Sequence, residues 1–363
     1  MSEGENRNID VEAFAEFSAH WAGFSMLGCR GSLAPPITKA FVAVEIFAST
    51  RETFQIRLNS KGLIMKKHQL FHFVLTLFLA TAIPNFGKAS DEVNVRTVVV
   101  ADGISMLMGR GGNVAVSHGG DGTLIVDDDY AQVSKQILSA LDALGASQVR
   151  YVLNTHWHAD HTGGNERMNA VGAVIVAHDN VRERMSHEHV SAALGRTTKA
   201  SPTAALPTVT FSEQASLHFN GLTIRAEHVA PAHTDGDAVI YFEPANVVHL
   251  GDLYFNGIYP FVDFSSGGEP RGMIAGVRGV LARIDDHTKV IPGHGKLSNR
   301  GELQAYHDML KTICDRIDVE IKKGTGLDDI VAMKLTADYD ERWGSGFLSP
   351  DRFVRVLYAG LVD

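Results

Sequence analysis

The chain has 363 residues, 45% hydrophobic and 21% charged, an ordinary globular composition with room for one large or two modest domains. A formal charge of −9 argues against a polyanion such as nucleic acid as the main partner. With Cys29 and Cys314 as the only cysteines, neither a disulfide framework nor a thiolate zinc cluster is available.

Residues 1–64 show no sustained periodicity. They precede Met65-Lys66-Lys67-His68-Gln69 and an apolar run from Leu70 to Ile83, a basic n-region and an h-region of signal-peptide length. Pro84 breaks the run, and Gly87 and Ala89 are the small residues that a cut after Ala89 requires. The run is short for a membrane span. A signal peptide stands at the start of a protein. The expectation is therefore a non-native extension over 1–64, a signal peptide over 65–89, and a mature chain from about Ser90 that is periplasmic or secreted. Losing residues 1–89 removes nine Lys/Arg and seven Asp/Glu, which leaves the remainder more acidic and Cys314 as its one cysteine. Export therefore creates no conflict with disulfide chemistry.

Beyond Val93, short β-rich runs alternate with glycines. Val95–Val100, Ile104–Met108, Asn113–Ser117 and Thr123–Val126 read as strands, with Gly109-Arg110-Gly111-Gly112 as a flexible hairpin tip. Asp127 follows the fourth strand, where a carboxylate can brace a neighbouring ligand loop or cap the helix expected over Tyr130–Leu144. Val149–Leu153 reads as a buried strand. It runs into Thr155-His156-Trp157-His158-Ala159-Asp160-His161-Thr162-Gly163-Gly164-Asn165. Three imidazoles and a carboxylate within six residues, at a tight strand-to-helix junction, are metal-ligand chemistry suited to zinc. An accidental histidine-rich surface loop is the bland reading, and so dense a set of donors disfavours it.

The alternation continues with a strand at Ala173–Ala177 and a helix at His178–Met185. Residues 187–208 read as an irregular loop, with His187 and His189 as a solvated pair. Strands follow at Val209–Phe211, Ser216–Phe219, Leu222–His228, Ala238–Phe242 and Val247–Leu250. A helix at Arg271–Ile284 and a strand at Lys289–Ile291 come next, and the tail from Gly301 reads as helices with Cys314 in the core. Three single residues share one context, a glycine-containing loop after a strand: His233, Asp252 in Gly251-Asp252, and His294 in Pro292-Gly293-His294-Gly295. Each is weak alone. With the first motif they make seven candidate ligands, enough for two adjacent metals.

His156-x-His158-x-Asp160-His161 followed by His233, Asp252 and His294 resembles the metallo-β-lactamase superfamily of dinuclear zinc hydrolases, over essentially all of Val93–His294, with Asp127 at the family's buried aspartate. The resemblance implies an α/β fold, a four-layer αβ/βα sandwich over residues 90–300, with the helical segment 301–363 packed on the same domain. It also implies two Zn2+ per chain, with iron or manganese admissible. One would sit on His156, His158 and His233, and the other on Asp160, His161 and His294, with Asp252 bridging or completing the second set. Asp160 and Asp252 are the implied catalytic carboxylates, and the implied chemistry is attack of a metal-activated water on a carbonyl.

For the substrate, a small cyclic amide or ester is expected, with a β-lactam leading on the strength of the glycine-tipped hairpin and the export signal. Asp252 stands where the commonest lactamase subclass has cysteine, and the lysine expected a few residues later is absent from Leu253-Tyr254-Phe255-Asn256. Those departures resemble instead hydrolases of lactones or thioesters, the alternative, with a non-catalytic zinc-binding protein more remote. Arg110, Asn256 and Lys296 are the candidates to replace the missing anion contact. The expected partner is a small molecule, with no nucleic acid and no membrane once the signal is cleaved, and the sequence specifies no oligomeric state.

Overall fold

The computed structural model describes residues 44–50, 53–58, 61–66, 94–146, 148–191, 195–229 and 231–362. The chain divides into two units, Met1–Asp91 and Glu92–Asp363. In the first, β1 (Val44–Thr50), β2 (Thr53–Leu58) and β3 (Lys61–Lys66) form an antiparallel meander that pairs Ile46 with Ile56 and Ile56 with Leu63. Within β2, Phe54, Ile56 and Leu58 alternate with Gln55 and Arg57, a period-two run too short to amount to sustained periodicity over residues 1–64. Met65 and Lys66, the first residues of the expected signal peptide, lie in β3, and the rest of that segment lies outside the described residues.

The second unit is built on two mixed sheets. The first comprises β4 (Arg96–Ala101), β5 (Ile104–Met108), β6 (Val114–Gly119), β7 (Gly122–Val126), β8 (Val149–Leu153) and β9 (Val174–His178). Beyond a separate small hairpin, β10 (His189–Ser191) and β11 (Arg196–Thr198), it is completed by β12 (Val209–Phe211), in the order β12-β9-β8-β7-β6-β5-β4. Pairing is antiparallel from β4 to β7 and parallel from β7 to β12. The second sheet runs in chain order through β13 (Gln214–Phe219), β14 (Leu222–His228), β15 (Ala238–Glu243), β16 (Val247–His249), β17 (Lys289–Ile291) and β18 (Ser298–Asn299). Its β16–β17 pair is parallel.

Strands buried on both faces must be apolar at odd and even positions alike. Met106, Leu124, Leu153 and Val176 face Ile224, Ile240, Phe242 and Ile291 across the interior between the sheets. Their neighbours Leu107, Ile125, Val152 and Ile175 point outward onto α1 (Ser134–Ala143) and, past α2 (Ala159–Thr162), onto α3 (Asn165–Ala170), through Ile137, Leu141 and Met168. The small helix α4 (Asp179–Ser186) follows β9. On the other side Val239, Tyr241, Val248 and Val290 pack against α5 (Pro270–Leu281), α6 (Arg300–Lys322) and the tail. The result is the expected αβ/βα sandwich.

The tail closes the same core with α6, α7 (Leu327–Ala332), α8 (Asp340–Trp343) and α9 (Pro350–Leu361), and Cys314 is buried within it. The helix expected from Tyr130 begins at Ser134, after a short 3-10 turn, because Tyr130 is extended. Among the described residues no helix is long and apolar enough to cross a membrane.

One contact fastens the tail to the second sheet's loops. Tyr259 stacks on Phe353 with ring centroids 4.3 Å apart, and both rings are fully buried. Phe353→Ala should therefore cost about 3–5 kcal/mol, the range for truncating a buried phenylalanine. The measurement is the midpoint of urea unfolding. An unchanged midpoint would mean that the tail does not share the core.

Candidate metal centre

The parallel strands β7 and β8 end side by side, and three consecutive carboxylates organise what leaves them. Asp127 accepts hydrogen bonds from Thr155 N (2.7 Å), Thr155 Oγ1 (2.8 Å) and His161 Nδ1 (2.7 Å), so it grips both ends of the histidine loop. Asp128 accepts from Gly164 N at 2.8 Å, ahead of α3. Asp129 accepts from Arg110 N (3.0 Å) and Gly111 N (2.8 Å) and holds the glycine tip against the site. All three are buried. Asp127 and Asp129 have φ of 63° and 61°, left-handed values that turn the chain sharply off the strand.

The seven predicted ligand residues converge in two groups, His156, His158, His233 and Asp252 in one, and Asp160, His161 and His294 in the other. Within each group the donor atoms all lie within 4.8 Å of one another. The imidazoles are oriented by what their outer nitrogens touch. His233 Nδ1 hydrogen-bonds the Phe261 carbonyl at 2.8 Å, which leaves Nε2 facing His158 Nδ1 at 2.9 Å. His158 can turn Nδ1 inward because its Nε2 hydrogen-bonds Asp263 Oδ2 at 2.9 Å. The bond to Asp127 likewise leaves His161 Nε2 inward.

Asp252 lies between the groups. Its Oδ2 is 3.7 Å from His156 Nε2 and 3.5 Å from His233 Nε2. Its Oδ1 is 3.1 Å from His161 Nε2 and 3.4 Å from His294 Nε2. Asp160 Oδ2 is 3.3 Å from His294 Nε2.

These residues fit divalent metal. His156 Nε2 is buried, aimed at the cluster and without a hydrogen-bond partner, a costly arrangement for a polar atom with no ligand to hold. Glycine lets the backbone close around the donors. A Cβ on Gly112 would collide with the His161 ring, and one on Gly293 with Asp252 Oδ1. The electrostatics agree. Burial lowers His156 and takes His233 down to about 4, so both are neutral donors. Burial also opposes charge on His161 and His294, but Asp252, Asp127 and Asp160 outweigh it at His161, and Asp252 and Asp160 carry His294 up to about 9. The carboxylates make the second group a place that favours positive charge.

Of the three candidates for substrate contact, Arg110 lines the cavity beside these groups, whereas Asn256 and Lys296 do not. Asn256 Nδ2 donates to the Lys296 carbonyl at 3.0 Å, so the pair fastens the loop that carries His294. His189 is not solvated either. It hydrogen-bonds Ser265 Oγ at 3.0 Å and meets the Trp157 ring edge-on, whereas His187 is exposed. Sequence reasoning missed Asp129, Asp237 and Asp263. Asp237, which accepts from the amides of His233 (2.7 Å) and Thr234 (2.9 Å), carried a signal in standing four residues after a ligand. Asp263 carried none.

Asp127→Asn keeps shape but replaces one acceptor oxygen with a donor that faces other donors. Metal affinity should fall by about 10- to 100-fold, the cost of removing a group that orients a ligand. Competition with a chromophoric chelator measures this, and unchanged affinity would remove Asp127 from that role.

Comparison with known proteins agrees with this geometry. A family model described as the metallo-beta-lactamase superfamily matches residues 107–305. The hydroxyacylglutathione hydrolase of Anaeromyxobacter dehalogenans is 27% identical over 180 residues, 49% of this chain and 59% of that protein. A metallo-beta-lactamase type 2 of Bacillus cereus is 22% identical over 204 residues, 55% of this chain and 73% of that one. The chain thus spans little more than half the length of the first of these relatives. Among solved structures, a double mutant of the sec-alkyl sulfatase PisA1 superposes with a TM-score of 0.54 at 18% identity, covering 76% of this chain and 53% of that one, a likeness of fold. A match over more than half the sequence takes in all seven converging side chains and the aspartate that braces them, and the chain belongs to the metallo-beta-lactamase superfamily.

Proposed function

We propose that the protein hydrolyses thioesters or related esters, lactones included, at a centre of two divalent cations, zinc by default. The observation that carries this reading is Asp252, which turns one carboxylate oxygen toward each ligand group. A cysteine there would present a single donor atom; the carboxylate presents two, one toward each group. The similarity to hydroxyacylglutathione hydrolases, 27% identical against 22% for the lactamase, points the same way. This reverses the order expected from the sequence, in which the β-lactam led.

His156, His158 and His233 would hold one cation, and Asp160, His161 and His294 the other, with Asp252 between them. When bound, the cations supply Lewis acidity toward a carbonyl and lower the pKa of water. The chain does the rest. Burial by itself would raise Asp160, yet His161 and the hydrogen bond to His294 hold it well below the usual carboxylate range, so it stays ionised. Its Oδ2 can then accept a hydrogen bond from the attacking water and orient it, the proton leaving to solvent as the departing sulfur or oxygen takes one up. The glycine tip, fastened by Asp129, lines the cavity through Arg110 and Gly111.

The test is turnover by metal-loaded protein of S-lactoylglutathione, a lactone series and a chromogenic cephalosporin. Thioester or lactone turnover exceeding that of the cephalosporin is expected, and the reverse order would restore the lactam reading. Asp160→Asn should lower turnover by about 100-fold or more with metal content intact; full activity in that variant would refute the orienting role. We also retain export as part of the proposal. N-terminal sequencing of native protein should find a start near Ser90, and a native chain that carries residues 1–64 refutes it.

A further inference from the structure

Resting on this reading of the site, we propose that the cavity selects substrates whose acyl group carries an uncharged apolar arm, aryl or alkyl, and that Phe347 of the C-terminal segment is the specificity-determining residue. The cavity holds about 300 Å3. One wall is the metal-binding side chains. The hydrocarbon lining is Phe255, Ile258, Phe261 and Phe347, and Arg110, Gly111 and Tyr130 complete the cavity.

This wall begins at the reacting centre and continues to the rim. Phe255 stacks on the His294 ring with centroids 5.2 Å apart, so apolar surface starts against a ligand. Phe261, whose carbonyl orients His233, meets Phe347 edge-to-face at 6.3 Å. Phe347 is 59% exposed, while Trp343 and Leu348 on either side are 6% and 1% exposed. The segment is therefore anchored at both ends, and this one ring is left at the cavity mouth.

It is also held there. The Tyr259 amide donates to the Trp343 carbonyl at 3.0 Å, and Tyr259 Oη donates to Asp340 at 2.8 Å. Gly346 lies so close to Ile258 that a Cβ would come within 2.5 Å of the isoleucine Cβ. An exposed aromatic ring on a rigid mount, continuous with an apolar wall, is ligand-facing surface.

Away from the metal-binding side chains the lining carries little charge. Among the described residues Arg110 is the one arginine or lysine lining the cavity, and it is exposed at the hairpin tip. Beyond the metal-binding groups, the carboxylates of a peptide thiol such as glutathione meet exposed cations, Arg110 and Arg352, the latter's guanidinium 5.9 Å from the Phe347 ring centroid. An aryl or alkyl arm finds a complementary face.

The experiment compares kcat/KM of the metal-loaded full chain for acetyl, butanoyl, hexanoyl and phenylacetyl thioesters of the uncharged thiol N-acetylcysteamine, with S-lactoylglutathione alongside. From acetyl to phenylacetyl the value should rise about tenfold or more, the scale for burying an apolar arm of that size. Phe347→Ala should compress that ratio to within about threefold, and Phe347→Leu should restore part of it. A melting curve checks that each variant is folded. Calorimetric binding of phenylmethanethiol and 2-mercaptoethanol gives a readout without turnover, and the aryl thiol should bind about tenfold tighter, an advantage that Phe347→Ala loses. A flat acyl series, equal binding of the two thiols, or a ratio unaffected by Phe347→Ala would each overturn the proposal. If no ester or thioester is hydrolysed at all, the reading of the reaction fails while the two thiols still decide the question of the apolar wall.

Discussion

A buried carboxylate without partners would be among the most costly groups a small fold could enclose. Asp127 is fully buried and avoids that cost by taking three hydrogen bonds, two from Thr155 and one from His161. Those bonds exist only if β7 and β8 pair in one register, with Val126 opposite Leu153 and the Asp127 amide on the Leu153 carbonyl. A slip by one residue would turn every side chain to the other face and leave the carboxylate among hydrocarbon. The apolar pattern of the first sheet and the aim of His161 are therefore one constraint.

The second sheet supplies the other half of the centre by the same logic. Parallel pairing of β16 with β17, with Val248 opposite Val290, brings the loops bearing Asp252 and His294 together, and Gly293 N donates to the Gly251 carbonyl at 2.8 Å. His233 arrives between β14 and β15 on an amide bonded to Asp237. What sets the distance between the two contributions is the packed layer from Met106 to Ile291. Close-packed interiors deform little, so the sandwich core acts as a ruler for the metal centre.

This explains what the sequence could reveal. Ligands at strand ends are legible because their chemistry is local: imidazoles and carboxylates beside glycine, after an apolar run. Asp127 was legible for the same reason. Asp263 was not, because its partner His158 is 105 residues away and the stretch Asp263-Phe264-Ser265-Ser266 reads only as a turn. Asn256 and Lys296 illustrate the converse error. Each lies within four residues of a ligand, but proximity along the chain says nothing of direction, and neither lines the cavity: the Asn256 side chain donates to the Lys296 carbonyl instead. The three-residue strands β10 and β11 and the short alternation at Phe54, Ile56 and Leu58 carry too few residues for a period to emerge.

The C-terminal helices show where periodicity misleads by being right. Their apolar stripes predict burial, and Leu303, Leu310, Ile313, Phe353 and Leu357 are buried. A stripe accounts for the side chains that point inward and is silent about one that does not. Phe347 falls between α8 and α9, outside either stripe, and acquires its place only because Tyr259 and Ile258 from a distant loop fix the segment around it. The metal donors hang from strand ends inside the sandwich, and the outermost part of the apolar wall hangs from the tail. No ligand is contributed by residues beyond His294 among the described residues. The tail can therefore vary its face toward the cavity while the register that holds Asp127 and Asp252 stays as it is, and substrate choice is separable from the chemistry of the centre.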